Sequence, residues 1–404
     1  MRFVHTSDLH LGKRLHEMPL VEDQRHILGE LRDAVRETQA QALVVAGDVF
    51  DNPNPPDTAM RMWDDFITDL ARDGVELLVV SGNHDSGTRL AMGGRLMRAS
   101  GVHVAGPLAA GEDVASVTVG GVRFWLVPFV RPADVRAWAQ ARELDAGEVH
   151  DYTDALRLAL DQVRSTPGFS EAPEVCVAHQ FVTAGGALPL TSDSERLSIG
   201  TLDNVDVSAF EGFCYVALGH IHRSQRIGAD PTVRYSGTPL KYSRSEVGQV
   251  KSMCVVDVDP DGTARVQLRP FEPLRDFREV RGTLDELDEL AAGEDERARQ
   301  DFVSATVTDE MPLDVMERLR RDWPNVVEAH PDNLALHAAG AAPITDVSRA
   351  SGDRLSLFAD FFEEQAGRPL TEGERAVVAE ALEDAGAAGG GRDGGRETEG
   401  GEAR

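Results

Sequence analysis

Residues 42–51 read ALVVAGDVFD, five small or branched apolar residues running straight into Gly47 and Asp48. An unbroken apolar run of that length predicts a strand buried on both faces, and a polar residue at its end sits where α/β sheets gather ligands. The same construction recurs on either side, in RFVHTSDLH (2–10), VELLVVSGNHD (75–85), EVCVAHQ (174–180) and FCYVALGHIH (213–222). Helical periodicity fills residues 21–40 and 58–72, so the first half alternates strand with helix and predicts an α/β sheet. Two later stretches predict hairpins, one around Gly120-Gly121 and one around a turn at 259–262.

With 404 residues the chain is long enough for two or three domains. The texture changes near residue 275: FREVRGT, a capping-box start at Thr283 with Glu286, DFVSATVTD, PLDVMERLRRDW and NVVEAH spell β-α-β-α-β. A link at 338–343 precedes two amphipathic helices, 354–366 and 372–384, the second opened by another capping box at Thr371 with Glu374. The final GAAGGGRDGGRETEGGEAR has no large apolar residue and cannot bury enough surface to order itself. The expected division is 1–273, 274–342, 343–386 and a disordered tail at 387–404.

The net charge of -28 argues against a generally basic nucleic-acid coat, yet it leaves room for a local arginine patch. Of 41 basic residues only Lys13, Lys241 and Lys251 are lysine, and arginine is the better bidentate partner for phosphate. Cys176, Cys214 and Cys254 each lie inside an apolar run and read as core residues, so no disulfide is expected. No apolar run reaches the roughly 18 residues that span a bilayer, and no signal-peptide pattern precedes the first motif. A cytoplasmic location is expected.

Five clusters end the predicted strands: Asp8-Leu9-His10, Gly47-Asp48 with Asp51, Gly82-Asn83-His84-Asp85, His179, and Gly219-His220-Ile221-His222. Singly each reads as a cap or tight turn, because Asp, Asn and Gly favour both. As an ordered set they supply the oxygen and imidazole donors that suit Mn, Fe or Zn, with no thiolate for a structural zinc site. His220 and His222, two apart on extended backbone, project to one side.

In this order the clusters resemble the calcineurin-like metallophosphoesterases, whose motifs run D-x-H, G-D-x-x-D, G-N-H-D, H and G-H-x-H. The longer strings HTSDLHLGK, VVAGDVFDNPNPP, VSGNHDS, AHQFV, ALGHIHR and YSGTPLKYSRSE are similar to the SbcD nuclease subunits of bacterial SbcCD complexes, over most of residues 1–270. The resemblance implies a β-sandwich flanked by helices, a small α+β capping domain and C-terminal helices. It also implies two divalent metal ions, manganese foremost. One would be held by Asp8, His10, Asp48 and His222, the other by Asp48, Asn83, His179 and His220, with Asp48 bridging.

Such a pair activates water and neutralises charge on a phosphodiester, so no protein nucleophile is needed. His84 is expected to contact the phosphate or protonate the leaving 3'-oxygen, with Asp85 orienting it. Asp51 is expected to support a ligand histidine. Lys13, Arg14, Arg89, Arg223, Lys241 and Arg244 lie close to the motifs and are candidate DNA phosphate contacts, positioning without reading sequence.

No G-x-x-x-x-G-K-[S/T] occurs, so ATP chemistry would come from a partner. By resemblance that partner is an SbcC-like coiled-coil ATPase. It would dock on Leu355, Phe358, Phe361, Phe362, Val378 and Leu382, the apolar faces of the two C-terminal helices. A homodimer within a heterotetramer is also implied, with residues 58–72 as the stretch to examine. The expected activity is metal-dependent cleavage of double-strand ends and hairpins, in repair, recombination and replication. Two other readings remain open, a phosphoesterase for cyclic nucleotides or phosphoproteins, and a DNA-end scaffold without catalysis.

Overall fold

The apolar runs pair into two six-stranded sheets. In chain order, β1 (Arg2–Thr6), β2 (Ala42–Ala46), β3 (Glu76–Val80) and β4 (Val102–Ala105) lie parallel in the first sheet. The second sheet is built by β5 (Ala115–Val119), β6 (Val122–Val127), β7 (Glu174–His179), β8 (Tyr215–Gly219), β9 (Gln225–Arg226) and β10 (Val233–Tyr235). Its order is β9-β10-β8-β7-β6-β5. The chain then returns to the first sheet with β11 (Ser252–Val258), antiparallel to β1, and β12 (Ala264–Pro270), giving the order β12-β11-β1-β2-β3-β4. This computed structural model describes residues 1–195, 204–309, 312, 314–332, 355, 358–359, 362 and 368–379.

Alternate residues of a strand face opposite ways, and both sheets exploit it. Phe3, Val44 and Leu78 from the first sheet and Phe124, Val175 and Tyr215 from the second fill the layer between them. Val4, Val45 and Val79 face outward onto α1 (Val21–Thr38) and α2 (Asp57–Arg72). Cys176, Ala178 and Val216 face α3 (Pro132–Gln140) and α4 (Tyr152–Arg164). The result is a sandwich of helices, sheet, sheet and helices. Each buried Val, Leu or Phe contributes roughly 1.5–3 kcal/mol.

Both predicted hairpins form. Val119 pairs with Val122 across Gly120 and Gly121, whose φ values of 53° and 82° are those of a two-residue turn matched to strand twist. His5, outside every motif, ties β1 to β8. The Leu218 carbonyl can only accept, so Nε2 donates to it at 3.2 Å and Nδ1 accepts from the Tyr215 hydroxyl at 2.9 Å. Burial pushes this imidazole down to about 3 and keeps it neutral.

A smaller sheet follows, with β13 (Phe277–Gly282), α5 (Leu284–Gly293), β14 (Phe302–Val307), α6 (Val315–Asp322) and β15 (Val326–Pro331), in the order β13-β14-β15. Both halves of the Thr283–Glu286 capping box are made. Leu284, Leu287, Val303, Leu319 and Trp323 are its buried core. The chain divides into two units, 1–306 with 312–330 and 307–311 with 331–404, so most of this sheet belongs with the sandwich. Within that unit Lys241 pairs with Asp276 at 2.8 Å, and Arg244 with Glu279.

In the second unit residues 372–379 are helical behind the second capping box, where Glu374 accepts from the Thr371 N–H at 2.9 Å. Leu355, Phe358 and Phe362 are helical too, and Arg368 lies 5.3 Å over the Phe362 ring. Phe358 and Val377 are exposed and Val378 is half-buried. Phe361, Leu382, the link at 338–343 and the tail at 387–404 lie outside the described residues.

Candidate metal centre

Five parallel strands end together. Asp8 and His10 follow β1, Asp48 follows β2, Asn83 follows β3, His179 closes β7, and His220 and His222 follow β8. To turn their side chains into one space the chain leaves ordinary strand geometry. Asp8, His10, Asp48 and His220 have φ values of 53°, 44°, 50° and 110°, a region that L-residues rarely occupy. The Asp8 and His10 N–H groups are held by the Gly47 and Asp48 carbonyls at 3.0 Å each. Glycine makes the room: a Cβ at Gly47 would overlap the His179 ring, and one at Gly82 the Asp48 carboxylate.

The seven expected ligands come together. His10 Nε2 lies 3.2 Å from His222 Nε2 and 3.9 Å from Asp48 Oδ2. His179 Nε2 lies 3.3 Å from Asp48 Oδ2, and Asn83 Oδ1 is 2.9 Å from both His179 Nε2 and His220 Nδ1. Asp8 accepts from the His220 N–H at 3.0 Å. Asp8–His10–His222, His10–Asp48–His84 and Asp8–Asp48–His179 are each close enough to share one ion.

The donor chemistry fits such ions. His179 Nδ1 donates to the Ala46 carbonyl at 2.8 Å, which leaves Nε2 facing the Asp48 carboxylate at 3.3 Å. At that separation either a proton on Nε2 or a metal ion in its place can bridge the two groups. Burial disfavours a charged His179, but Asp48 and Asp8 outweigh it and raise the ring to about 9. His220, buried beside His179, is pushed down to about 3. Neutral imidazoles and carboxylates are the forms that bind metal, so an ion binding here would displace the His179 Nε2 proton, while His220 is already neutral.

His84 is half-buried beside this set, its ring edge-on to His10 at 4.9 Å. Its backbone N–H donates to Asp48 at 2.8 Å and its Nδ1 to the Asp51 carbonyl at 2.8 Å. The orienting partner is therefore a main-chain oxygen, and the expectation that Asp85 orients His84 is corrected. The Asp85 carboxylate is taken up by the N–H groups of Gly82 (2.9 Å), Phe50 (2.9 Å) and Val49 (3.2 Å), tying two ligand loops together. Asp51 stands 3.4 Å from His10 Nδ1 and 2.7 Å from Lys13 Nζ. Burial opposes its charge, but these two neighbours outweigh that and hold it well below the usual carboxylate range.

The expected phosphate contacts divide. Lys241 and Arg244 are engaged with Asp276 and Glu279 of the small sheet, and Lys13 with Asp51, so all three have structural partners. Arg89 holds the Pro53 carbonyl at 2.8 Å, and Arg14 the Glu17 carbonyl. Arg223 is exposed with no side-chain partner among the described residues. Arg131, not singled out in the sequence, lies 5.7 Å over Phe129, whose ring packs on His179 and His220 at 6.3 and 6.4 Å.

Residues behind His222 were also missed: Ser194, Glu195, Glu246 and Lys251 surround it, and Glu246 and Lys251 are buried. Burial opposes charge on Glu246, but His222 and Lys251 hold its carboxyl well below the usual range. Its sequence signal was its place at the end of YSGTPLKYSRSE.

Two family profiles match the chain: calcineurin-like phosphoesterase over residues 1–224, and type 5 capsule protein repressor C-terminal domain over 273–366. Among curated proteins, the SbcD component of the SbcCD nuclease from Staphylococcus epidermidis is 31% identical over 71% of this chain and 74% of its own length. Its counterpart in the SbcCD nuclease from Bacillus subtilis is 30% identical over 93% of this chain and 95% of its own length.

Proposed function

Because the chain belongs to the calcineurin-like phosphoesterases, and within them to the SbcD nuclease subunits, we propose that it cuts DNA as the metal-dependent component of an SbcCD-type complex. The observation that carries this is the convergence of Asp8, His10, Asp48, Asn83, His179, His220 and His222 on one buried space. Asp48, within reach of both His10 and His179, is the residue placed to serve two ions. When bound, two divalent ions supply Lewis acidity and lower the pKa of water.

The protein's own residues do the rest. The Nδ1 contact to Asp51 O fixes the His84 ring, leaving Nε2 to bind a phosphate oxygen and, as imidazolium, to give a proton to the leaving 3'-oxygen. Asp85 holds the loops at 47–50 and 82–85 in register. Arg223 and Arg131, free of carboxylate partners among the described residues, join Arg89 and Arg14 as contacts to the DNA backbone. A manganese pair is preferred on donor type.

An SbcC-like coiled-coil ATPase, in the cytoplasm, is the proposed partner, docking on the helices that hold Leu355, Phe358, Phe362 and Val378. No described helix is long and apolar enough to cross a membrane. A homodimer is proposed at the outer edge of α2. Met62, Trp63, Phe66 and Leu70 point into the core, but Met60, Met92 and Leu96 are 48%, 77% and 82% exposed. Met60 and Met92 flank a cavity of about 700 Å³ floored by Trp63 and Leu90.

The deciding experiment compares turnover of linear duplex DNA, a DNA hairpin and a cyclic nucleotide by the purified chain with manganese, alongside metal analysis. Faster turnover of the cyclic nucleotide than of either DNA, or failure to take up metal, would overturn the proposal.

A further inference from the structure

His222 is gripped from behind by a polar chain, buried at Glu246 and Lys251 and half-buried at Ser194, whose hydrogen-bond directions have only one solution. Its Nδ1 lies 2.6 Å from Ser194 Oγ, and the same Oγ is bonded to Glu246 Oε1. A carboxylate only accepts, so the Ser194 hydroxyl donates to Glu246 and its oxygen accepts from His222 Nδ1–H. That tautomer leaves the Nε2 lone pair pointing at His10 Nε2, into the metal space. The other Glu246 oxygen accepts from Lys251 Nζ at 2.5 Å, and Lys251 donates in turn to the His222 carbonyl at 3.0 Å. The His222 N–H donates to Glu195 at 2.8 Å.

A buried carboxylate–ammonium pair is a poor way to gain stability, because desolvation offsets most of its attraction. Here both ends of the pair close on one residue, the carboxylate through Ser194 onto its ring and the ammonium onto its carbonyl. We infer that Ser194, Glu246 and Lys251 are positioning residues that hold His222 as an Nε2 ligand, so that the affinity of one of the two metal sites is set from outside the ligand set. This rests on the two-metal reading above.

Ser194→Ala in the full chain tests it, since it removes the relay while Glu246 keeps Lys251 and the Ser243 hydroxyl at 3.0 Å. Manganese binding is titrated calorimetrically, with thermal unfolding of the metal-free protein followed in parallel. The expected result is two sites in the wild type and, in Ser194→Ala, one of them weakened by about tenfold to a hundredfold, the usual effect of losing an outer partner of a ligand histidine. The other site and the metal-free unfolding midpoint stay unchanged, and Ser194→Thr restores the weakened site. Two sites of wild-type affinity in Ser194→Ala would overturn the inference alone. No manganese uptake by the wild type would overturn the two-metal reading and the inference with it.

Discussion

Replacing His84 by Gln asks whether this side chain delivers a proton or only occupies space. Gln keeps an amide near the ring's volume and preserves the backbone N–H donated to Asp48 at 2.8 Å, so the Asp48 carboxylate stays in place. What it removes is the protonatable Nε2 on a ring aligned by Asp51 O at 2.8 Å. Loss of a positioned general acid slows a reaction by about 10²- to 10⁴-fold, or roughly 3–6 kcal/mol in barrier at about 1.4 kcal/mol per tenfold. That full factor is expected only where the leaving group needs a proton. Cleavage of duplex DNA, which expels a sugar alkoxide, should fall by the whole amount. Hydrolysis of bis(p-nitrophenyl) phosphate, which expels a stable phenolate, should fall far less. The assay is single-turnover cleavage of both substrates under saturating manganese, with metal content measured on the same samples. Equal losses on the two substrates, or a drop in bound metal, would refute proton delivery and leave His84 a ligand or a spacer.

Asp85→Ala strands three backbone donors and should cost on the order of 3 kcal/mol, at about 1 kcal/mol per lost bond, with Asp85→Asn losing less because one oxygen still accepts; urea denaturation of metal-free protein measures both, and a wild-type midpoint for Asp85→Ala would contradict the assigned contacts. Trp323→Ala empties the fully buried core of the small sheet and should destabilise it by about 3–5 kcal/mol, read by denaturation with fluorescence or hydrogen exchange. Ending the chain at residue 343 should abolish co-purification with an SbcC-like ATPase while manganese-dependent hydrolysis of small diesters persists; retention of the ATPase by the shortened chain would remove the C-terminal helices from the docking proposal.

Legibility from sequence followed the range of the interactions involved. The strands were readable because an apolar run ending in a ligand is a local signal, and α1 and α2 because their periodicity is local too. The two capping boxes at Thr283 and Thr371 depend on residues three apart, and both formed. Side-chain direction was not readable. Asp85 follows His84 directly, yet its carboxylate points back at Gly82 and across to Val49 and Phe50. Lys241 and Arg244 looked like free cations because Asp276 and Glu279 lie 35 positions further along the chain. The support behind His222 was hidden for the same reason, since Ser194 and Glu246 meet across 52 positions.

Asp8, His10, Asp48 and His220 all stand at positive φ. Each such position costs on the order of 1–3 kcal/mol, and whole domains are stable by only about 5–15 kcal/mol. The chemistry therefore sits on backbone that is costly to hold in shape. A laboratory selection for heat resistance alone, with no demand for cleavage, should drift towards Gly at those four positions, or Asn at the three near φ 50°, because these tolerate the geometry without the side chains the metals need. The hardier survivors of such a screen would be the inactive ones, so any effort to toughen this enzyme has to leave those four codons out of the library.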